Sequence, residues 1–209
     1  MIILTGMVGL GKTSLTELIS KELNLKAFYE DIDNNKYLKN YNSKDVFNNY
    51  NSQHFILENR FNNILEASKY ENSIVDGSLE EILLFTNLQF DMNKINFHDK
   101  EALLVDYNIR IEQLQEKIKS KEILIIYLKA NFSKVREGIR KRNRIFEQSR
   151  ELESYYYEIW ENYDKFVEKE FNKKNYEVLT INVDNKDFIK NRRDFTKILD
   201  DINTFIKIK

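Results

Sequence analysis

Five short apolar runs interrupt a chain that otherwise follows a helical period. Ile2-Ile3-Leu4-Thr5 opens it, and Ser73-Ile74-Val75-Asp76 is brief and ends on an acid; the segments 122–128 and 176–183 are almost continuously apolar. Runs without polar alternation suit strands that are covered on both faces of a parallel sheet. A fifth strand is expected over Ala27-Phe28-Tyr29. Between these runs, apolar residues recur at helical spacing over about 14–23, 44–69, 79–92, 99–120, 132–141, 150–173 and 187–207. Strands alternating with helices predict an α/β fold with a parallel five-stranded sheet flanked by helices. Neither an internal repeat nor a Pro/Gly/Ser-rich linker divides residues 1–209, so one domain is expected.

The first run leads into Gly6-Met7-Val8-Gly9-Leu10-Gly11-Lys12-Thr13, and Ser14 then opens a helix. This is a complete G-x-x-x-x-G-K-T loop in the strand–loop–helix setting that it requires. Glycines let successive backbone N–H groups close around phosphate oxygens. Lys12 adds a positive charge for the outer phosphates, Thr13 offers a hydroxyl to Mg²⁺, and the helix N-terminus adds its dipole. A P-loop NTPase-type fold and a nucleoside triphosphate ligand follow.

In open parallel sheets the ligand sits beyond the carboxyl ends of the strands. That rule brings residues 6–13, Glu30-Asp31, Asp76-Gly77-Ser78 and whatever follows Leu128 into one cleft. A carboxylate at Glu30 can take a proton from a hydroxyl attacking a γ-phosphate, although a solvated loop acid occupies such positions as readily. Asp76, ending its strand, stands where P-loop enzymes keep an acid near Mg²⁺; Asp-Gly-Ser is also turn chemistry. The densest basic stretch holds Arg136, Arg140, Lys141, Arg142 and Arg144. Arginines at alternate positions cannot share one helix face, so part of this stretch is expected on a turn that closes over phosphates. Gln53 and Arg60, seven apart on a predicted helix, project from one face, where they can read a base edge. His54 and His98 lack metal-ligand spacing.

Composition narrows the field. The net charge is -1, so no global field recruits a nucleic acid polymer or an anionic membrane. There is no cysteine, which removes disulfides, thiolate metal sites and a cysteine nucleophile. No apolar run reaches membrane-spanning length and the apolar start is too short for a signal peptide, so a cytoplasmic protein is expected.

Taken in order, these clusters resemble the deoxynucleoside kinase family, particularly its bacterial deoxyadenosine/deoxyguanosine kinase branch. Residues 6–13 resemble its phosphate loop. Phe28-Tyr29-Glu30 with Asn35-Lys36-Tyr37-Leu38 resembles its E-P…N-P-[YF]-[LF] segment, and Gln53 with Arg60 its Q-x₆-R helix. Asp76-Gly77-Ser78 stands in place of [DE]-R-S, and residues 141–148 resemble the lid K-R-G-R-x-x-E-Q. The resemblance implies ATP as donor with Mg²⁺ on Thr13 and Asp76, and Glu30 as general base for the sugar 5′-hydroxyl. It implies Gln53 and Arg60 at the base, and Lys12, Arg140, Arg142 and Arg144 on the triphosphate. Glu147 and Tyr41 would hold the 3′-hydroxyl in a lid and loop, the lid spanning about 138–150. Asp184 and Lys186 would lie near the donor adenine. It also implies a dimer, with itself or with a related chain. The sequence departs from the family at Asp31 and Lys36, which replace prolines, at Gly77, which replaces the arginine of [DE]-R-S, and at Ile82, where an aspartate is frequent. Two alternatives stay open: a nucleoside monophosphate kinase of the thymidylate kinase type, and a degenerate kinase fold kept as a binding subunit. The guanine motif of a GTPase is absent, since residues 185–188 fail its pattern at Phe188.

Overall fold

The opening apolar run forms β1 (Ile2–Gly6), which is buried along its whole length, as a strand must be when helices cover both faces of its sheet. It pairs in parallel with β3 (Ser73–Asp76) on one side and β4 (Leu124–Lys129) on the other. The edges are β2 (Lys26–Phe28) and β5 (Glu177–Asn182), giving the order β2-β3-β1-β4-β5, all parallel. The computed structural model describes residues 1–39, 46–119, 121–144, 150–174 and 176–207, and every expected strand lies within them. Edge position explains why β2 and β5 are only half-buried while β1, β3 and β4 are core.

The helices are α1 (Lys12–Leu23), α2 (Lys36–Lys39), α3 (Val46–Ala67), α4 (Glu81–Asp91), α5 (Phe97–Ile118), α6 (Phe132–Arg142), α7 (Arg150–Lys173) and α8 (Arg192–Lys207). Single-turn α2 has no periodic signal in the sequence. The last helix starts later than the expected residue 187. Phe188 is buried there, with its ring against Gly11 of the phosphate loop, and Asn191 caps the helix by accepting from the Arg193 N–H at 3.0 Å. Packing and capping thus override periodicity.

Two features bring the basic stretch to the phosphate loop. Gly138 of α6 lies so near Gly9 that a Cβ there would come within 2.0 Å of the Gly9 carbonyl oxygen. No other side chain lets the helix sit that close. The helix then stops at Arg142 because Asn143 adopts the left-handed conformation, φ 52°, which Asn tolerates better than most residues. Arg144 therefore lies beyond the helix, as expected from the alternation of arginines.

The aromatic bulk of α7 mostly goes inward. Tyr155, Tyr163, Phe166 and Phe171 are buried, Tyr163 stacks on Tyr127 with centroids 5.4 Å apart, and the Trp160 Nε1–H donates to the Ala130 carbonyl at 2.8 Å. Tyr157 stays exposed.

Candidate active site

The carboxyl ends of β1, β2 and β3 open into a cavity of about 470 Å³. The phosphate loop borders one side through Val8, Gly9, Gly11, Lys12, Thr13 and Ser14; Met7 and Leu10 turn into the core. Lys12 Nζ donates to the carbonyls of Gly6 at 2.6 Å and Met7 at 3.3 Å. Thr13 Oγ1 donates to Asp76 Oδ2 at 2.5 Å. The other Asp76 oxygen, Oδ1, is buried without a hydrogen-bond partner among the described residues. Burial lifts the Asp76 pKa above the ordinary aspartate value, and the positive charge of Lys12 only partly offsets it. An orphaned carboxylate oxygen beside a hydroxyl is donor chemistry that Mg²⁺ takes. That ion needs one or two protein carboxylates and draws its other ligands from phosphate and water. No cluster of three or more acidic, His or Cys ligands exists among the described residues.

Next to Asp76 lies a buried ionic chain. Arg60 of α3 donates from Nε to Glu30 Oε1 at 2.7 Å and from Nη1 to the Ser78 carbonyl at 2.9 Å, and Nη1 lies 2.8 Å from Glu81 Oε2. Glu81 is fully buried. It accepts from Thr5 Oγ1 at 3.0 Å and from the Tyr163 hydroxyl, which itself accepts the Gly6 N–H at 2.8 Å. Burial opposes charge on Arg60 and on Glu81, yet their mutual attraction outweighs it. The Arg60 pKa moves further up, and that of Glu81 moves down with help from Lys12 and the two hydroxyls. The Tyr163 hydroxyl is pushed well up by burial and by Glu81. One chain of contacts therefore joins the first glycine of the phosphate loop to Glu30.

The loop carrying Glu30 has no proline, and hydrogen bonds fix it instead. The Asp31 N–H donates to Asn59 Oδ1 at 3.0 Å, a bond that proline cannot make, and Asn63 Nδ2 donates to the Tyr29 carbonyl at 2.8 Å. Asn35, buried, donates to the Ser52 carbonyl at 3.2 Å and accepts from the Tyr37 N–H at 3.2 Å.

Three helix faces enclose the rest of the cavity: Gln53, Ile56 and Arg60 of α3; Glu81, Phe85 and Gln89 of α4; and Leu152, Tyr155, Tyr156 and Ile159 of α7. Each set repeats every three or four residues, as one face of a helix does. Sequence reasoning missed Glu81, Gln89 and Tyr163. Glu81 and Gln89 are polar residues eight apart on one face of a helix rich in apolar residues, and that pattern was the available signal. Ile82, the position considered for base contact, is fully buried in the core and does not line the cavity. The acid that faces the cavity is its neighbour Glu81.

From α6, Lys141 and Arg142 line the cavity, with Arg144 just beyond. Arg144 Nη2 donates to Asp33 Oδ1 at 2.9 Å, bridging the basic segment to the Glu30 loop. Arg140, Asp184 and Lys186 do not line the cavity. Asp184 accepts from the Asn131 N–H and Nδ2 at 2.7 and 2.9 Å, and Lys186 donates to the Asn182 carbonyl at 2.6 Å. Tyr41 and Glu147 lie outside the described residues.

Comparison with known proteins agrees with this geometry. The family model described as deoxynucleoside kinase matches residues 2–207. A deoxyguanosine kinase from Lactobacillus acidophilus is 28% identical over 205 residues, covering 96% of this chain and 88% of the relative. A deoxyadenosine kinase from the same organism is 29% identical, covering 97% and 94%. Among solved structures, the deoxyadenosine kinase from M. mycoides with products dCMP and a flexible dCDP bound superposes with a TM-score of 0.76 at 24% identity, covering 97% of this chain and 98% of that one. That likeness places the fold.

Proposed function

The chain belongs to the deoxynucleoside kinase family, and we infer that it transfers the γ-phosphoryl group of ATP or another nucleoside triphosphate to the 5′-hydroxyl of a deoxynucleoside. The observation that carries this reading is the chain of contacts from Gly6 through Tyr163, Glu81 and Arg60 to Glu30. It holds the candidate base and the phosphate loop in one frame around one cavity.

In this reading the triphosphate lies along residues 6–14, its oxygens met by backbone N–H groups and by Lys12. Thr13 and Asp76 would hold Mg²⁺, which would neutralise charge on the phosphates. The nucleoside enters between α3, α4 and α7 with its base toward Gln53 and its 5′-hydroxyl toward Glu30. Glu30 accepts the hydroxyl proton as the oxygen attacks phosphorus. Arg60, tied to Glu30 by Nε, fixes the carboxylate's direction. Arg142 and Arg144 stabilise negative charge on the group in flight, and Asp33 guides Arg144 toward the nucleoside side. Glu147 and Tyr41 are assigned to the sugar 3′-hydroxyl, and Arg140, Asp184 and Lys186 to the outer part of the donor.

No helix among the described residues is long and apolar enough to cross a membrane. A cytoplasmic location is inferred together with the triphosphate donor. Phe97, Val105 and Ile109, exposed on α5, support a dimer through helix packing, which sedimentation tests. The deciding assay offers ATP and Mg²⁺ with each of the four deoxynucleosides, and dTMP as control acceptor. Phosphate on a nucleoside supports this reading; transfer to dTMP alone, or to nothing, overturns it.

A further inference from the structure

Gln53 and Gln89 both line the cavity. Gln53 Oε1 and Gln89 Oε1 are both inaccessible to water and have no hydrogen-bond partner among the described residues. The α3 and α4 contacts set their level. Arg60 meets Glu81 at one end, while Asn49 Nδ2 donates to the Lys94 carbonyl at 2.9 Å at the other. The two segments therefore run antiparallel, and Gln53 comes level with Gln89, about two helical turns from the Arg60–Glu81 pair. The two amides differ in one respect. Gln89 Nε2 is already committed to the Tyr155 hydroxyl at 3.2 Å, so Gln89 offers the cavity an acceptor only. A protein seldom buries an acceptor without a partner unless a ligand supplies the donor.

We propose that Gln89 reads the base, accepting from the 2-amino group of a guanine while Gln53 pairs with its N1–H and O6. The purines differ in what they offer. Guanine presents two adjacent donors, N1–H and the 2-amino group, beside the O6 acceptor. Adenine presents one exocyclic amine and only C–H at position 2. With guanine bound, Gln53 uses both halves of its amide and Gln89 Oε1 receives the second donor. With adenine or hypoxanthine bound, Gln89 Oε1 stays desolvated and unpaired, and that penalty is the discrimination. Deoxyguanosine is therefore the preferred acceptor.

This assignment rests on the kinase reading, and deoxyinosine, which lacks only the 2-amino group, isolates it. The experiment measures kcat/KM for deoxyguanosine, deoxyinosine and deoxyadenosine in the wild-type chain and in Gln89→Met, a substitution of similar length without an acceptor. The expected result is a preference for deoxyguanosine over deoxyinosine of about tenfold or more in the wild type, which disappears in Gln89→Met. Equal use of the two by the wild type, or a ratio that survives the substitution, overturns the assignment while leaving the kinase reading intact. If no nucleoside is phosphorylated, the kinase reading fails, and calorimetric binding of the same pair decides about Gln89. Tighter deoxyguanosine binding that is lost in Gln89→Met upholds it, and equal binding overturns it.

Discussion

The Arg60 guanidinium lies against the bare backbone of Gly77: a Cβ at that position would come within 3.1 Å of Arg60 Nε and 3.4 Å of Cζ. Gly77 also has φ 94°, where side chains are strained. Gly77, the residue that departs from the family's [DE]-R-S pattern, thus packs directly against the cation from α3. Position 77 and Arg60 form one structural unit.

Gly77→Arg, which restores the family residue, is accordingly expected to lower activity. It adds a Cβ against Arg60 and strains the backbone, at about 1–3 kcal/mol. Chemical denaturation should show this loss together with a fall in kcat/KM; increased transfer would contradict the account.

Arg60→Met leaves Glu30 and Glu81 facing each other without their cation. Removing one member of a buried ionic group costs about 3–5 kcal/mol. Glu81→Leu added to Arg60→Met removes one of the stranded charges and should recover part of the melting temperature but none of the activity. Thermal melts of the single and double variants test this, and a double variant less stable than Arg60→Met would count against it.

Burial raises the Asp76 pKa, so its contribution to stability is present below the unfolded pKa and is lost as pH rises through the folded value. Above that value the ionised carboxylate is a net burden on the unliganded fold. Asp76→Asn should raise the melting temperature by a few degrees, about 1 kcal/mol, and lose transfer. Glu81 is shifted down, so its contribution is present above the unfolded pKa and lost only as pH falls through the lower folded value. On acidification, Mg²⁺–ATP binding should therefore weaken before the fold is lost. Binding and circular dichroism followed along one titration test the order, and simultaneous loss would refute it.

Gly138→Ala places a methyl group on the Gly9 carbonyl, with 2.0 Å between Cβ and oxygen. Either α6 or the phosphate loop must retreat. The KM for ATP should rise about tenfold or more, with a smaller change in KM for the nucleoside. Initial-rate kinetics with each substrate varied in turn separate the two, and unchanged ATP kinetics would show that the close approach is dispensable.

Glu30→Gln keeps the shape of the side chain but removes its basicity. Turnover should fall by about 10²–10⁴ while ATP binding persists. Near-normal turnover with Glu30→Gln would remove Glu30 from its role.

The sequence by itself determined the elements and the donor side. Buried parallel strands need apolar runs, and a phosphate loop needs glycines, lysine and threonine in immediate succession, so both are written locally. The strand-end rule even gathered Glu30, Asp76 and residues 6–13 into one cleft. Beyond Glu30, Gln53 and Arg60, tertiary structure decided the acceptor side. That Glu81 rather than Ile82 faces Arg60 depends on how α4 rolls against α3, and a one-residue rotation of a helix is invisible in its periodicity. That Tyr163 clasps Gly6 depends on α7 crossing the sheet more than a hundred residues later in the chain. The hydrogen bonds that Asn59 accepts from Asp31 and that Asn63 donates to Tyr29, in place of the family prolines, likewise join α3 to a strand end far away in sequence. Local pattern records which face of an element is apolar; only packing of the assembled elements fixes which polar groups on those faces meet, because burial drives most of them to pair across the interface.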